Sequence, residues 1–270
     1  MPSSRRQREL ARQRAQRQAV RRAEKHKRRQ RTIAIVAGLS VLVIAGVVAL
    51  IIGLNSSSNK AGPATPVTTP PTPTPTTRPV ACNGPVPPSS APKTYPSPPP
   101  MTINTNANYS MTMNTSCGTI VVALEAKQAP QTVNSLTFLA GQGYYNGTPC
   151  HRLVQSESLT VLQCGDPTGT GSGTPGYTLP EENLTRAKYT RGTMAMAKSS
   201  APHSTGSQFF LVDKDSTLPP QYTVVGHINS PAGLAVLDKL MAAGQDNSNQ
   251  TGDGAPLKRI YLNTVTVTQG

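Results

Sequence analysis

The sequence predicts a mainly β fold over its C-terminal part: an antiparallel barrel with two helices over its ends. Three observations carry that expectation. Residues 101–270 hold seven or eight short apolar runs of strand length, punctuated by turn residues. Only two isolated stretches in the same region follow a helical period. A segment of about 170 residues is also long enough to bury a proper core.

The elements follow in order. Tyr109–Asn114 alternates, with Met111 and Met113 on one face. Thr115 to Gly118 reads as a turn, and Thr119–Leu124 as the returning strand. Pro130 suits the first turn of a helix, because a first-turn N–H has no partner within the helix to lose. Val133, Leu136, Thr137 and Ala140 give that helix an inward stripe, and Gly141 and Gly143 can end it. Short strands are expected near His151–Val154, Leu159–Gln163, Thr193–Ala197, Phe209–Val212 and Thr223–His227. The Gly-rich GDPTGTGSGTPGY loop lies among them. A second helix over Gly233–Ala242 brings Leu234, Leu237 and Met241 together, and Ile260–Val267 is a last alternating strand.

The chain ahead of this region has a different character. The formal net charge is +14, but 13 of the 26 Lys and Arg residues lie in residues 1–31, with only two of the 12 acidic residues. Beyond Met101 the charges cancel. The basic charge therefore belongs to a tail, residues 1–32, with no interleaved aromatics to stack on bases, so no nucleic-acid partner is expected. Ile33–Leu54 is 22 residues without a charge. At ~1.5 Å per residue it spans ~33 Å, enough for a hydrocarbon core. A signal peptide has a shorter apolar region behind a shorter basic segment. The expectation is an uncleaved single-span transmembrane anchor in the cell membrane, with the N-terminus cytoplasmic and the remainder extracytoplasmic. Residues 55–100 read as a linker rich in Pro, Thr and Ser: 15 of the chain's 26 prolines fall between Ala61 and Pro100, a composition that favours polyproline II over a packed core.

Cys82, Cys117, Cys150 and Cys164 all follow the span, on the side where disulfides persist. Four cysteines allow three pairings; Cys150–Cys164 and Cys82–Cys117 are favoured, the second pinning the end of the linker to the domain. No C-x-x-C occurs and the four histidines are scattered, so no metal and no cofactor are expected. There is one difficulty. A regular ladder that sets Arg152 opposite Gln163 puts Cys150 and Cys164 on opposite faces, so their pairing needs a bulge or a shifted register.

The segment SSAPHSTGSQFF, Ser199 to Phe210, holds two of the chain's three phenylalanines. A Ser/His nucleophile would need a base within reach and a G-x-S-x-G elbow; His203 has serine neighbours, but no elbow is present. The GTGSG run lacks the Lys and the strand–helix context of a phosphate loop.

In order, the series NGTPCHRLV, LQCGDPTGTGSGTPGY, RGTMAMAKSSAPHSTGSQFFLV and LPPQYTVVGHI resembles the core of the cyclophilin-type peptidyl-prolyl isomerases. The similarity runs from about Tyr109 to the C-terminus. The basic tail, span and proline-rich linker look like the membrane-anchored bacterial members. The resemblance implies an eight-stranded closed barrel capped by two helices. It also implies isomerisation of X-Pro bonds in proline-containing peptides and unfolded exported proteins. A monomer is expected.

Residue by residue, it implies Arg152 as the donor to the prolyl nitrogen. Gln163 would hold that arginine and the carbonyl side of the substrate. Phe210 would be the floor of the proline pocket, with Phe209 facing the core because successive strand residues alternate. Ala197 and Lys198 would line the groove, with Leu218 and Tyr222 on its far wall and His203 in a loop.

Several residues depart from the family pattern. The stretch from Arg152 to Gln163 is longer than usual. Thr160 and Val161 stand where an aromatic and a methionine are expected, which predicts a shallower, more polar pocket. Lys198 replaces a common asparagine, Thr217 a tryptophan and Tyr222 a histidine, which predicts weak cyclosporin affinity. A catalytically weak proline-peptide binding module or chaperone at the cell surface is the alternative these changes raise.

Overall fold

A computed structural model describes residues 78–88, 91–185 and 187–270. The expected basic tail and membrane span lie outside the described residues; among those described, no helix is long and apolar enough to cross a membrane.

One curled, wholly antiparallel sheet forms the body of the domain. Its strands are β1 (Tyr109–Thr115), β2 (Gly118–Leu124), β3 (Thr148–Cys150), β4 (Arg152–Gln155) and β5 (Thr160–Cys164), then β6 (Thr193–Met196), β7 (Phe209–Lys214), β8 (Val224–Ile228), β9 (Asp253–Gly254) and β10 (Ile260–Gln269). Their spatial order is β3-β10-β1-β2-β8-β6-β7-β5-β4-β9. Two helices, α1 (Pro130–Gly141) and α2 (Pro231–Met241), pack along β10 and against β2 and β7 respectively.

The sheet has ten strands where eight are expected, for two local reasons. β3, which pairs with β10, lies ahead of the strand expected near His151–Val154, and His151 separates it from β4, which pairs with β5. Asp253 and Gly254 add a two-residue strand along β4. β3 stands at one end of the strand order and β4 near the other, yet a single residue separates them in the chain.

Both helices begin on proline, and Ser230 caps α2 by accepting the Gly233 N–H. α1 buries Val133, Leu136, Leu139 and Ala140, while Thr137 sits at the edge and turns its hydroxyl onto Val133 O. Leu240 joins Leu237 and Met241 on the buried face of α2.

Strands β4 to β7 bury side chains on both faces. Leu153, Leu162, Met194, Met196, Phe209 and Leu211 point into the main core. Their alternate neighbours Val154, Val161, Ala195, Phe210 and Val212 form a second apolar cluster on the opposite face. The paired phenylalanines thus serve one core each.

The segment expected as linker meets the domain from Arg78 onward. The Arg259 N–H donates to Pro79 O at 2.7 Å and the Ala81 N–H to Arg259 O at 2.9 Å. Cys82 is disulfide-bonded to Cys117, and Tyr95 stacks edge-on against Phe138 at 4.9 Å. Proline content disfavours a core of the segment's own, but it leaves isolated main-chain groups and side chains free to dock on a neighbour.

Candidate active site

The second apolar face is where the sequence-predicted residues converge. Direct pairing of β4 with β5 sets Arg152 opposite Gln163, and pairing of β5 with β7 sets Gln163 opposite Phe210. They line a cleft of about 120 Å³ together with Val161, Ala197 and Lys198. Leu218 and Tyr222 line the same cleft.

Thr160 and Thr217 are not among the lining residues; Leu159 is. The pairing of β5 with β7 shifts register between Thr160 and Val161, and the Thr160 hydroxyl turns onto Ser156 O. The pocket wall is therefore leucine and valine, and more apolar than the identity of residue 160 suggests.

Aromatic contacts hold the floor. The Phe210 ring meets Tyr222 edge-on at 5.6 Å and Tyr189 at 6.2 Å. The Tyr189 hydroxyl donates to Tyr222 O and accepts the Tyr222 N–H, both at 3.0 Å. Tyr189 escapes sequence reasoning because it lies between elements and belongs to no quoted motif. Its only signal is an isolated aromatic in a chain with eight tyrosines and three phenylalanines.

The polar rim is a chain of hydrogen bonds. Arg152 Nη1 donates to Gln163 Oε1 at 3.2 Å, and Gln163 Nε2 to Gln208 Oε1 at 2.9 Å. Gln208 Nε2 in turn donates to the carbonyls of Gly171 and Gly173. Those glycines belong to the Gly-rich loop, which wraps a fully buried carboxylate: Asp166 accepts from the N–H groups of Thr168, Gly171 and Gly173 and from the Thr168 hydroxyl. Burial pushes the Asp166 carboxyl up, but these four donors outweigh it and leave its pKa below the ordinary value. The loop is held by its own aspartate and needs no phosphate.

On its other edge Arg152 pairs with Asp253: Nε donates to Oδ1 at 2.8 Å and Nη2 to Oδ2 at 2.5 Å. This contact was not legible in the motifs, since the two residues are 101 positions apart. The arginine side chain keeps 37% of its surface exposed, the aspartate 5%. The Arg152 hydrogen bonds hold the Asp253 carboxyl below the ordinary carboxylate value, and the aspartate raises the arginine.

Lys198 pairs with Glu181, which also accepts the His203 N–H. The His203 ring faces the same carboxylate, while the Ser204 hydroxyl donates to Ala201 O. No serine is bonded to the imidazole, and the loop carries no nucleophile–base pair. Among the described residues no three His, Cys, Asp or Glu side chains gather in a group that could hold a metal ion.

Both favoured disulfides are present, Cys82–Cys117 and Cys150–Cys164. The irregularity the second one requires is the break at His151. Cys150 belongs to β3 and Arg152 to β4, so the strict alternation between them is lost.

The family model described as cyclophilin type peptidyl-prolyl cis-trans isomerase/CLD matches residues 110–267. The chain is similar to the probable peptidyl-prolyl cis-trans isomerase B of Mycobacterium tuberculosis, with 43% identity over 171 residues, covering 59% of this chain and 54% of the relative. The Mycobacterium leprae protein of the same description is 44% identical over 171 residues, covering 59% and 57%. The chain thus spans little more than half the length of these relatives. Among solved structures, a Cryptosporidium parvum cyclophilin type peptidyl-prolyl cis-trans isomerase aligns with a TM-score of 0.52 at 27% identity, covering 60% of this chain and 99% of that one. The same protein in the presence of the dipeptide Ala-Pro aligns with a TM-score of 0.51. With more than half its length matched by that family model, the chain belongs to the cyclophilin-type peptidyl-prolyl cis-trans isomerase family.

Proposed function

We propose that this chain accelerates cis–trans isomerisation of X-Pro bonds in exported or cell-surface proteins, with Arg152 stabilising the twisted amide. The observation that carries the reading is a guanidinium standing beside an apolar hollow floored by Phe210. We also read the sheet as an eight-stranded closed barrel, counting β3 and β4 as one strand bent at His151 and leaving the two-residue β9 as an addition at the edge of β4.

The barrier to be lowered is amide resonance, about 18–20 kcal/mol for rotation about the C–N bond. Rotation makes the prolyl nitrogen pyramidal and gives it a lone pair that the planar amide lacks. An N–H donor aimed at that nitrogen binds the twisted state better than either planar isomer, which is what accelerates a reaction. Phe210, Val161, Leu159 and Leu218 would hold the ring and keep water away, strengthening the hydrogen bond. No covalent step and no proton transfer are needed. Each ~1.4 kcal/mol of preference for the twisted form is worth about tenfold in rate.

The apolar stretch Ile33–Leu54 supports an anchor that leaves the domain outside the cytoplasm. Two intact disulfides fit an oxidising location. The substrates are then proline-containing segments of exported chains, met by a monomer.

The test is a protease-coupled isomerisation assay on a proline tetrapeptide with the full chain in detergent micelles, wild type against Arg152→Ala. A rate above background that falls steeply in the variant, to a small residual, supports the reading. Peptide binding with no rate would instead mark a proline-peptide binding module. Membrane fractionation with external protease checks the location: the domain should sediment with membranes and be cut from outside the cell.

A further inference from the structure

We propose that Asp253 is the positioning residue of this site: its two-point grip on Arg152 fixes which edge of the guanidinium faces the cleft. The kinetic side of this inference rests on the isomerase reading above.

An arginine has five N–H donors in a rigid plane. Here Nε and one hydrogen of Nη2 are taken by Asp253, and one hydrogen of Nη1 by Gln163. The two donors left over sit one on each terminal nitrogen. Asp253 itself is not part of the cleft wall. It is buried behind a partly exposed arginine, so it can influence a bound peptide only through that side chain.

Gln163 alone would hold the guanidinium at one point and leave it free to rotate about that bond. A side-on carboxylate makes two parallel bonds and sets the plane as well as the position. A twisted amide presents one lone pair in one direction, so orientation matters more here than charge.

The surrounding loop is built to hold that carboxylate. Asp253 pairs with Val154 and Gly254 with Leu153, which brings residue 253 alongside the start of β4. Asn249 Nδ2 gives Asp253 Oδ1 a further hydrogen bond at 2.9 Å. The Gly252 N–H donates to Asn247 Oδ1. A Cβ at Gly254 would lie 2.3 Å from Asp246 Oδ1 and 2.7 Å from Ser248 N, so only glycine fits next to the aspartate.

A partly buried arginine needs a partner for stability alone, and that bland role makes a different prediction. Asp253 withdraws positive potential from the cleft. Replacing it with asparagine makes the cleft more positive while loosening the guanidinium. If charge were what mattered, the variant would be faster; if orientation matters, it is slower.

The experiment uses the full chain in detergent. Asp253→Asn should lower kcat/KM on a proline tetrapeptide at least tenfold, with the loss in kcat and the KM within twofold. Combined with Arg152→Ala, it should cost nothing further, because a positioning residue has nothing left to position. A rate equal to or above wild type overturns the proposal, as does a loss of the same size on the Arg152→Ala background or one carried by KM. A second readout does not depend on turnover. The Arg152 Nε–H resonance should exchange with solvent at least tenfold faster in Asp253→Asn, and unchanged exchange overturns the proposal. A wild-type protein without isomerase rate would defeat the functional reading, while the exchange measurement would still decide the role of Asp253. Should Asp253→Asn fail to fold by circular dichroism, Asn249→Ala removes only the supporting bond. It should then lower kcat two- to threefold with faster Nε–H exchange, and no change in either measure overturns the proposal.

Discussion

Cys150 and Cys164 are joined across the one residue, His151, that separates β3 from β4. The bridge therefore ties the point where the sheet passes from its β10 side to its β5 side, one residue from Gln163 and two from Arg152. The His151 N–H donates to Gln163 O at 3.2 Å across that break.

Removing this disulfide should cost about 3 kcal/mol, the chain-entropy value for a closed loop of about 15 residues. The Cys82–Cys117 bridge, with a sequence separation of 35, should be worth about 4 kcal/mol on the same scale. Urea denaturation of the two paired Cys→Ser variants measures both. The first should also lower isomerase activity, because it loosens the strands carrying Arg152 and Gln163; the second should leave activity intact.

Phe209 and Phe210 occupy opposite faces of β7, so their replacement should fail differently. Phe209→Ala leaves a hole in the fully buried main core and should cost about 3–5 kcal/mol of stability. Phe210→Ala removes the ring that meets Tyr222 and Tyr189. It should also raise the KM of a proline peptide about fivefold, equivalent to about 1 kcal/mol of lost ring contact. Thermal melts and steady-state kinetics on both variants separate the two roles.

Gln208 supports Gln163 from behind, and two glycine carbonyls support Gln208. Gln208→Ala should free the Gln163 side chain and lower kcat/KM about fivefold, the worth of one hydrogen bond of about 1 kcal/mol. Gln208→Glu should do no better, since a carboxylate cannot donate to the Gly171 and Gly173 carbonyls. The protease-coupled assay reads both.

Acid stability follows from the carboxylates. Hydrogen bonds from Arg152 depress the Asp253 carboxyl, and those from Ser248 depress Asp246 further. A depressed carboxylate contributes stability that is complete above the ordinary pKa of about 4 and is lost as pH falls through the lowered value. Asp213 works the other way: burial and then Asp238 raise it, so its protonation favours the folded state. The urea midpoint should therefore hold from about pH 7 to about pH 5 and fall below about pH 4. Asp246→Asn should flatten that acid slope, and an unchanged slope would show that Asp246 does not contribute.

Much of the fold was legible because its signals are local. Alternation in Tyr109–Thr115, the proline starts of both helices and the apolar runs of β5 and β7 each depend on a few neighbouring residues. The strand count was not legible, because the break at His151 comes from β3 and β4 taking different partners. The cleft was legible where motif residues line it. Thr160 was misplaced because a register shift, invisible in one strand alone, turns it away and lets Leu159 line the cleft instead.

By itself, the sequence determined the composition of the parts: a basic tail, an apolar segment of membrane length, a proline-rich stretch and a β domain with Arg152, Gln163 and Phe210 each in its own motif. It also determined that adjacent phenylalanines face opposite sides, since strand geometry admits nothing else. Only the tertiary structure decided that Asp253 grips Arg152, that Tyr189 braces Tyr222 and that Arg78 to Ala81 dock beside Arg259. Those contacts join residues far apart in the chain, and their strength depends on distance and angle in space, which no local pattern encodes.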